Sequence, residues 1–94
     1  MVVTWDSEVK HTTLVDVTPY RMFTFTIAVY NYGRPSVMLR NSVGTALASS
    51  GQKYGVGTYT LDVSSINEPV YIQINCNANA ASNYSALNDI GFIP

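Results

Sequence analysis

Residues 21–30, RMFTFTIAVY, alternate without interruption between two kinds of side chain. A period of two is typical of a β-strand, because successive side chains of a strand point to opposite faces of the sheet. We expect one row to face a core and the other, neutral row to face water or a partner. The inward row is Phe23, Phe25, Ile27 and Val29, and the outward row is Met22, Thr24, Thr26 and Ala28.

Shorter alternating segments repeat the same pattern along the chain. They predict strands over residues 2–5, 11–17, 36–40, 45–48, 57–63, 70–76 and 86–93. Proline, glycine and asparagine separate these segments, and none has the spacing of a long amphipathic helix. In the final segment the apolar residues change parity, which predicts a bulge near Asn88 or Asp89.

Seven or eight short strands without a helix indicate an all-β fold, specifically an antiparallel, jelly-roll-like β-sandwich. The 94 residues are enough for one domain, residues 1–94, with a modest core. We expect this domain to belong to a larger protein. The single cysteine, Cys76, shares its parity with Ile72 and Ile74, so we expect a buried and unreactive thiol.

The low charge of the chain limits the kinds of molecule that we expect it to bind. Charged residues make up 12% of the chain and the formal net charge is −1, which favours neutral partners over charged ones. The five basic residues are scattered, so we do not expect nucleic-acid binding. The apolar runs are too short for membrane insertion, and the N-terminus MVVTWDSEVK does not resemble a signal peptide.

The order of the segments resembles the jelly-roll sandwiches of non-catalytic carbohydrate-binding modules and galactose-binding-like domains, including those of phage tail and baseplate proteins. The matching stretches are LVDVTPYRMFTFTI, SVMLRNSVGTAL, GTYTLDVSSINEPVYIQINCNAN and YSALNDIGFI. The resemblance implies a fold and a class of function, with an extracellular or virion-associated location. Its motifs report strand packing, so it implies no particular ligand.

Groups for catalysis are sparse, and we expect the domain not to be an enzyme. The only histidine, His11, lies at the head of a predicted strand, where a surface role is the simpler interpretation. No acidic pair has a catalytic spacing. We expect no cofactor, with a calcium site formed by Asp62, Asn88 and Asp89 as the less favoured alternative.

Side chains suited to sugars lie in two stretches. Sugar binding needs a flat aromatic face for the C–H groups and amides or a guanidinium for the hydroxyls. Tyr71, Gln73 and Asn75 have one parity in a predicted strand, and Arg40 has an outward parity in another. Tyrosine is also an ordinary strand residue, so cross-strand packing is the alternative interpretation.

The second stretch is the predicted turn that contains Tyr30, Tyr32 and Arg34, and Tyr54 lies in a later loop. Tyrosines beside a turn often shield the end of a core, which is the alternative here, and we expect Trp5 to anchor the terminal strand. The two stretches are compatible with two functions. The first is a module that binds a polysaccharide or cell-surface glycan, and the second is a structural domain that forms homo-oligomers or contacts neighbouring domains.

Overall fold

Two four-stranded antiparallel sheets enclose a single core. The computed structural model describes residues 1–4, 7–11, 13–78 and 80–94, and all its regular elements within these ranges are strands. The strands are β1 (Val2–Thr4), β2 (Glu8–Lys10), β3 (Met22–Asn31), β4 (Pro35–Arg40), β5 (Ala46–Ser49), β6 (Gly57–Asp62), β7 (Tyr71–Cys76) and β8 (Tyr84–Ile93). Sheet A has the order β1-β8-β3-β6, and sheet B has the order β2-β7-β4-β5.

The strand pairing identifies a jelly roll. β1 pairs with β8, β2 with β7, β3 with β6 and β4 with β5, so the first half of the chain runs antiparallel to the second half. Two further pairings, β3 with β8 and β4 with β7, complete the sheets. This arrangement is a long hairpin of eight strands rolled into two layers, which confirms the predicted antiparallel jelly-roll sandwich.

The core is built around β3. Phe23, Phe25 and Ile27 are almost completely buried, as predicted. The Phe23 ring lies 5.0 Å from the ring of Phe92 on β8, and the Phe25 ring lies 5.6 Å from that of Tyr59 on β6. Each fully buried side chain of this size contributes about 1.5–3 kcal/mol, so this row is a main source of stability.

A bulge in β3 overturns the expectation for Val29. Ile27 pairs with Leu87 while Val29 pairs with Ala86, so Ala28 is an extra residue in β3. An extra residue reverses the parity of every strand residue after it. Val29 is accordingly 45% exposed, and Tyr30 packs against the core instead.

A second bulge lies in β8, where the sequence predicted one. Thr24 pairs with Gly91 and Thr26 pairs with Asn88, so two β8 residues stand opposite Phe25. One of them, Asp89, has φ of 52°, the left-handed conformation that such a bulge requires. The bulge lets the apolar side chains before and after it face the same core.

The strand predicted over residues 11–17 is wrong in its position. The paired segment is β2, at Glu8–Lys10, and only Val15 bridges to Val70 farther along. His11 N donates to Ile72 O at 2.8 Å, and Val15 N donates to Val70 O at 2.7 Å. Four steps of this segment thus cover two steps of the neighbouring chain, and Thr13 and Leu14 lie outside the strand pairing. Thr12 lies outside the described residues.

Two turns of the jelly roll are closed by the same hydrogen-bond pattern, in which an aspartate accepts from the residue two positions later. Asp16 Oδ1 accepts hydrogen bonds from Thr18 N and Oγ1 at 3.0 and 2.8 Å, and Asp62 Oδ1 accepts from Ser64 N and Oγ at 2.9 and 2.6 Å. The valine inside each turn, Val17 or Val63, is fully buried. Because hydrogen bonds to a carboxylate favour its charged form, they lower the pKa of both aspartates below the ordinary value of 3.8.

Acid should therefore weaken the fold through these turns. A lowered folded-state pKa contributes stability that is present above the ordinary value and is lost as pH falls through the folded value. We expect urea midpoints measured between about pH 2 and pH 6 to fall less steeply in an Asp16→Asn/Asp62→Asn variant than in the wild type. Removing only the hydroxyl donors, in Thr18→Ala/Ser64→Ala, should flatten the slope partially. An unchanged slope in the asparagine variant would contradict this account.

The bulge in β3 predicts that a charge at Ile27 destabilises the fold far more than a charge at Val29. Ile27→Asp places an unpaired charge in the core and should cost about 4 kcal/mol or more. Val29→Asp should cost less than about 1 kcal/mol, because the bulge leaves this side chain at the surface. Urea denaturation measures both, with Val29→Thr as a control for strand propensity. Comparable losses for the two aspartate variants would show that β3 has no bulge.

Candidate functional site

The predicted residues on β7 and β4 form one continuous surface. Opposite residues in an antiparallel pair share a face of the sheet. The outward pairs are Arg40 with Tyr71, Met38 with Gln73, and Ser36 with Asn75, and β2 adds Lys10 beside Gln73 and Glu8 beside Asn75. We call these residues the sheet B face. The structure thus brings together Tyr71, Gln73, Asn75 and Arg40.

Polar side chains on the sheet B face are joined by a chain of hydrogen bonds. Arg40 Nη1 donates to Gly44 O at 2.8 Å, and Arg40 Nε donates to Gln73 Oε1 at 2.9 Å. Gln73 Nε2 then donates to Asn75 Oδ1 at 3.1 Å. The chain fixes the orientation of the guanidinium and of both amides. Arg40 Nη2 donates to Met38 Sδ at 3.4 Å. One N–H each on Nη1 and Nη2, and the Asn75 amide protons, have no partner among the described residues.

Gln73 is more buried than its neighbours on the sheet B face. Its side chain is only 4% exposed, although it lies on the outward side of the sheet. Both ends of its amide are engaged, one by Arg40 and one by Asn75. A molecule on this face meets Tyr71, Arg40 and Asn75, which are half-buried, before it meets Gln73. Burial leaves little of the Gln73 side chain exposed for direct contact, and its amide links Arg40 to Asn75.

A cleft of about 260 Å³ opens at the Tyr71 end of the face. Lys10, Leu14, Ser42 and Tyr71 line it. Leu14 directly precedes the Val15 bridge and is 43% exposed. Sequence reasoning missed Lys10, Leu14 and Ser42 as site residues. The one available signal was an outward leucine in a polar segment, and the predicted strand over residues 11–17 concealed it.

The turn between β4 and β5 contributes Ser42 to the cleft and is closed by hydrogen bonds. Asn41 is buried, and its Oδ1 accepts from Val43 N and Thr45 N at 3.2 and 2.9 Å. Its Nδ2 donates to Glu68 Oε1 at 2.9 Å. Gly44 has φ of 88°, and a Cβ there would lie 4.0 Å from the Tyr71 hydroxyl. The turn therefore holds Ser42 in place beside the tyrosine.

Charge on the sheet B face is nearly balanced. Lys10 Nζ lies 3.2 Å from Glu8 Oε1, and this is the only ion pair within the described ranges. Both side chains are about half exposed, so the pair adds little stability. Arg40 has hydrogen-bond acceptors but no carboxylate within ion-pair distance in the described part of the chain. The guanidinium is instead held by the neutral groups Gln73 Oε1, Gly44 O and Met38 Sδ.

Tyr30, Tyr32 and Arg34 lie away from this cleft. Arg34 precedes Pro35, which pairs with Cys76, whereas Arg40 pairs with Tyr71 at the other end of β4. Five residues of strand separate the two ends by roughly 17 Å. Tyr30 packs against the core, while Tyr32 is exposed and its ring lies 5.7 Å from that of Tyr30. The predicted site residues therefore form two separate groups.

The predicted calcium ligands do not converge. Asp62 pairs with Met22, whereas Asn88 pairs with Thr26, which places them four residues apart along β3. At about 3.3 Å per residue this separation is roughly 13 Å. The described residues contain no cluster of three or more histidine, cysteine or acidic side chains that could hold a metal ion.

Two further residues, His11 and Cys76, lie outside both groups. His11 is exposed. Cys76 is buried, as predicted, and its thiol donates to Gly33 O at 3.1 Å. The expectation for Trp5 lies outside the described residues.

Within those residues we find no helix with the length and hydropathy needed to cross a membrane.

A scan against protein-family models, a search of curated proteins and a search of solved structures each found no match for this chain. The resemblance to carbohydrate-binding modules consequently stays a prediction. The function must come from the site itself, since a jelly roll hosts many unrelated functions.

Proposed function

We propose that the sheet B face is a non-catalytic binding site for a neutral glycan. The observation that supports this most is the cleft beside Tyr71, which continues into a row of hydrogen-bonded amide and guanidinium groups. The cleft offers apolar contact and the row offers directed polar groups. Ligand sites commonly combine these two features.

Each part of the face matches one part of a sugar. The ring of Tyr71 and the side chain of Leu14 suit the C–H surface of a pyranose. The hydroxyls of Ser42 and Tyr71 can donate or accept, and Arg40 and Asn75 have N–H groups left to donate. A chain of several sugars laid along the strands would extend from the cleft towards Asn75.

Affinity for a single glycan should be weak. Hydrogen bonds to neutral hydroxyls replace bonds to water, so a shallow and wet site gains little from each of them. Several copies of the domain on one parent protein would raise the avidity, because the second binding event becomes intramolecular. This fits a role in adhesion or in targeting a parent protein at the cell exterior or on a virion.

Glycan-panel screening followed by titration tests the proposal. Tyr71→Ala should lower the affinity for the bound glycan by about tenfold, which is the loss expected for an aromatic contact. Asn75→Ala should lower it less, and Tyr71→Phe should separate the ring from its hydroxyl. Thr60→Ala, on the outer side of sheet A, is the matched control and should bind like the wild type. Failure to bind any member of a broad neutral panel would refute the proposal.

A structural role in homo-oligomers is the second candidate, and the outer face of sheet A favours it. Val2, Ala86 and Val29 form one cross-strand row, and Ile93 and Met22 form another. All of these residues except Ala86 are exposed. The charged residues among the strand positions of sheet A are Asp62 and Asp89, and neither belongs to the row of Val2. Two copies can therefore meet along that row without repulsion between like charges.

Sedimentation of the purified domain tests this second candidate. If sheet A forms the contact, the wild type should sediment as a concentration-dependent dimer, and Val29→Lys should shift it to monomer by adding like charges across the interface. Lys10→Gln on the other sheet should leave the dimer intact. A monomer at every concentration would count against self-association, and the glycan site would be unaffected.

A further inference from the structure

The loop between β3 and β4 has an unusual backbone. Tyr32 has φ of 58° and Arg34 has φ of 46°, so two non-glycine residues adopt the left-handed conformation on either side of Gly33. This conformation is unfavourable for bulky side chains, and it persists only where surrounding structure enforces it. Residues held in this way are concentrated at functional sites.

Contacts beneath the loop enforce its conformation. A Cβ at position 33 would lie 2.5 Å from Ser85 Oγ and 2.5 Å from the carbonyl carbon of Tyr84, so only glycine fits. Gly33 O accepts from Asn77 N at 3.1 Å, and Arg34 O accepts from Asn77 Nδ2 at 2.9 Å. The loop is therefore tied to the end of β7 and to the start of β8.

Aromatic rings on top of the loop are left in solvent. Tyr32 is 64% exposed and Tyr54, from the neighbouring loop between β5 and β6, is 65% exposed. Lys53 N donates to Pro35 O at 3.0 Å, which holds the two loops together. Core packing does not account for rings this exposed. The two loops thus present aromatic surface outward.

Two cations lie over aromatic rings at this end. The Arg34 guanidinium carbon is 5.8 Å from the centre of the Tyr54 ring, and Lys53 Nζ is 5.2 Å from the centre of the Tyr59 ring. Neither cation has an acidic partner within 4.0 Å in the part of the chain that the structure describes. By contrast, Lys10 at the cleft is paired with Glu8, and the Arg40 guanidinium there is held by hydrogen bonds to Gln73, Gly44 and Met38. Both cations are half-buried, and no carboxylate neutralises their charge within the described residues.

We propose that Tyr32, Arg34, Lys53 and Tyr54 form a second ligand site, which binds an anionic saccharide bearing carboxylate or sulfate groups. The exposed tyrosine rings receive the C–H face of a sugar, and Arg34 and Lys53 donate charge-assisted hydrogen bonds to the acidic group. Two cations on a chain of net charge −1 suit one or two acidic groups better than a polyanionic nucleic acid. The site is separate from the sheet B cleft, and each proposal can fail without the other.

Titrating the full chain with three probes tests this site: a short oligogalacturonate, a short chondroitin sulfate and a neutral malto-oligosaccharide. At least one anionic probe should bind about tenfold or more tightly than the neutral one, and a tenfold rise in salt should weaken that binding. The better of the two anionic probes assigns the acidic group as carboxylate or sulfate. Equal binding of the neutral probe, or binding of neither anionic probe, overturns the proposal.

Matched variants locate the binding. Lys53→Gln and Tyr54→Leu should each weaken the anionic probe about fivefold or more, whereas Lys10→Gln and Tyr71→Ala, at the cleft, should leave it unchanged. Loss of the anionic probe in Tyr71→Ala would place its binding in the cleft and overturn the second site. Tighter binding of a single-stranded oligothymidylate than of either saccharide would also overturn it, by assigning the site to nucleic acid.

Thermal unfolding separates a binding role from a structural one. Arg34→Gly removes the guanidinium and also relieves the unfavourable φ, so this variant should lose the anionic probe while its melting temperature stays equal or rises. Tyr32→Gly should also lose the anionic probe, because the ring is removed, and should keep its melting temperature, because the unfavourable φ is relieved. A clear fall in melting temperature in both variants would show that these side chains serve the fold, and would overturn the proposal.

Discussion

Burial of the inward row of β3 between the two sheets is the constraint on which the other features depend. β3 pairs with β6 on one side and with β8 on the other, and it supplies Phe23, Phe25 and Ile27 to the core. Because a strand has a period of two, burying these side chains fixes the opposite row outward along three strands of sheet A. Sheet B must then present its own apolar row, including Val37 and Leu39, to the same core.

The two bulges are consequences of this constraint. Without them, the apolar residues on either side of Asp89 could not all face inward, and Tyr30 could not close the end of the core. Each bulge adds one residue to one strand and thereby reverses the facing of the side chains beyond it. The cost is a local irregularity in the ladder, and the result is that Val29 faces outward. Packing requirements on the inside thus add Val29 to the row of Val2 and Ala86 on the outer face of sheet A.

Hydrogen bonds of polar residues stabilise different features at the two ends of sheet B. At one end, Asn41 and Gln73 are buried and hydrogen-bonded, and they hold a turn and an arginine around a cleft. At the other end, contacts around Gly33 hold Tyr32 and Arg34 in an unfavourable backbone conformation, with the Tyr32 ring exposed and the Arg34 side chain half-buried. Buried hydrogen bonds can create rigidity in both cases, since an unsatisfied buried polar group is costly. Rigid surroundings of this kind favour binding, because less conformational freedom is lost when a ligand is held.

The alternation of side chains by itself determined the all-β class, most strand positions, the β8 bulge and the shared face of Tyr71, Gln73 and Asn75. These features depend on the local period of two, which the order of residues encodes directly. The tertiary structure decided the rest: the β3 bulge, the displaced β2, the burial of Gln73, and the separation of the Tyr32 and Arg34 loop from Tyr71. Each depends on which strands lie side by side and in what register, and register is set by long-range pairing that no short segment specifies. Leu14 and Ser42 meet Tyr71 for the same reason, since segments distant in sequence converge only when the roll closes.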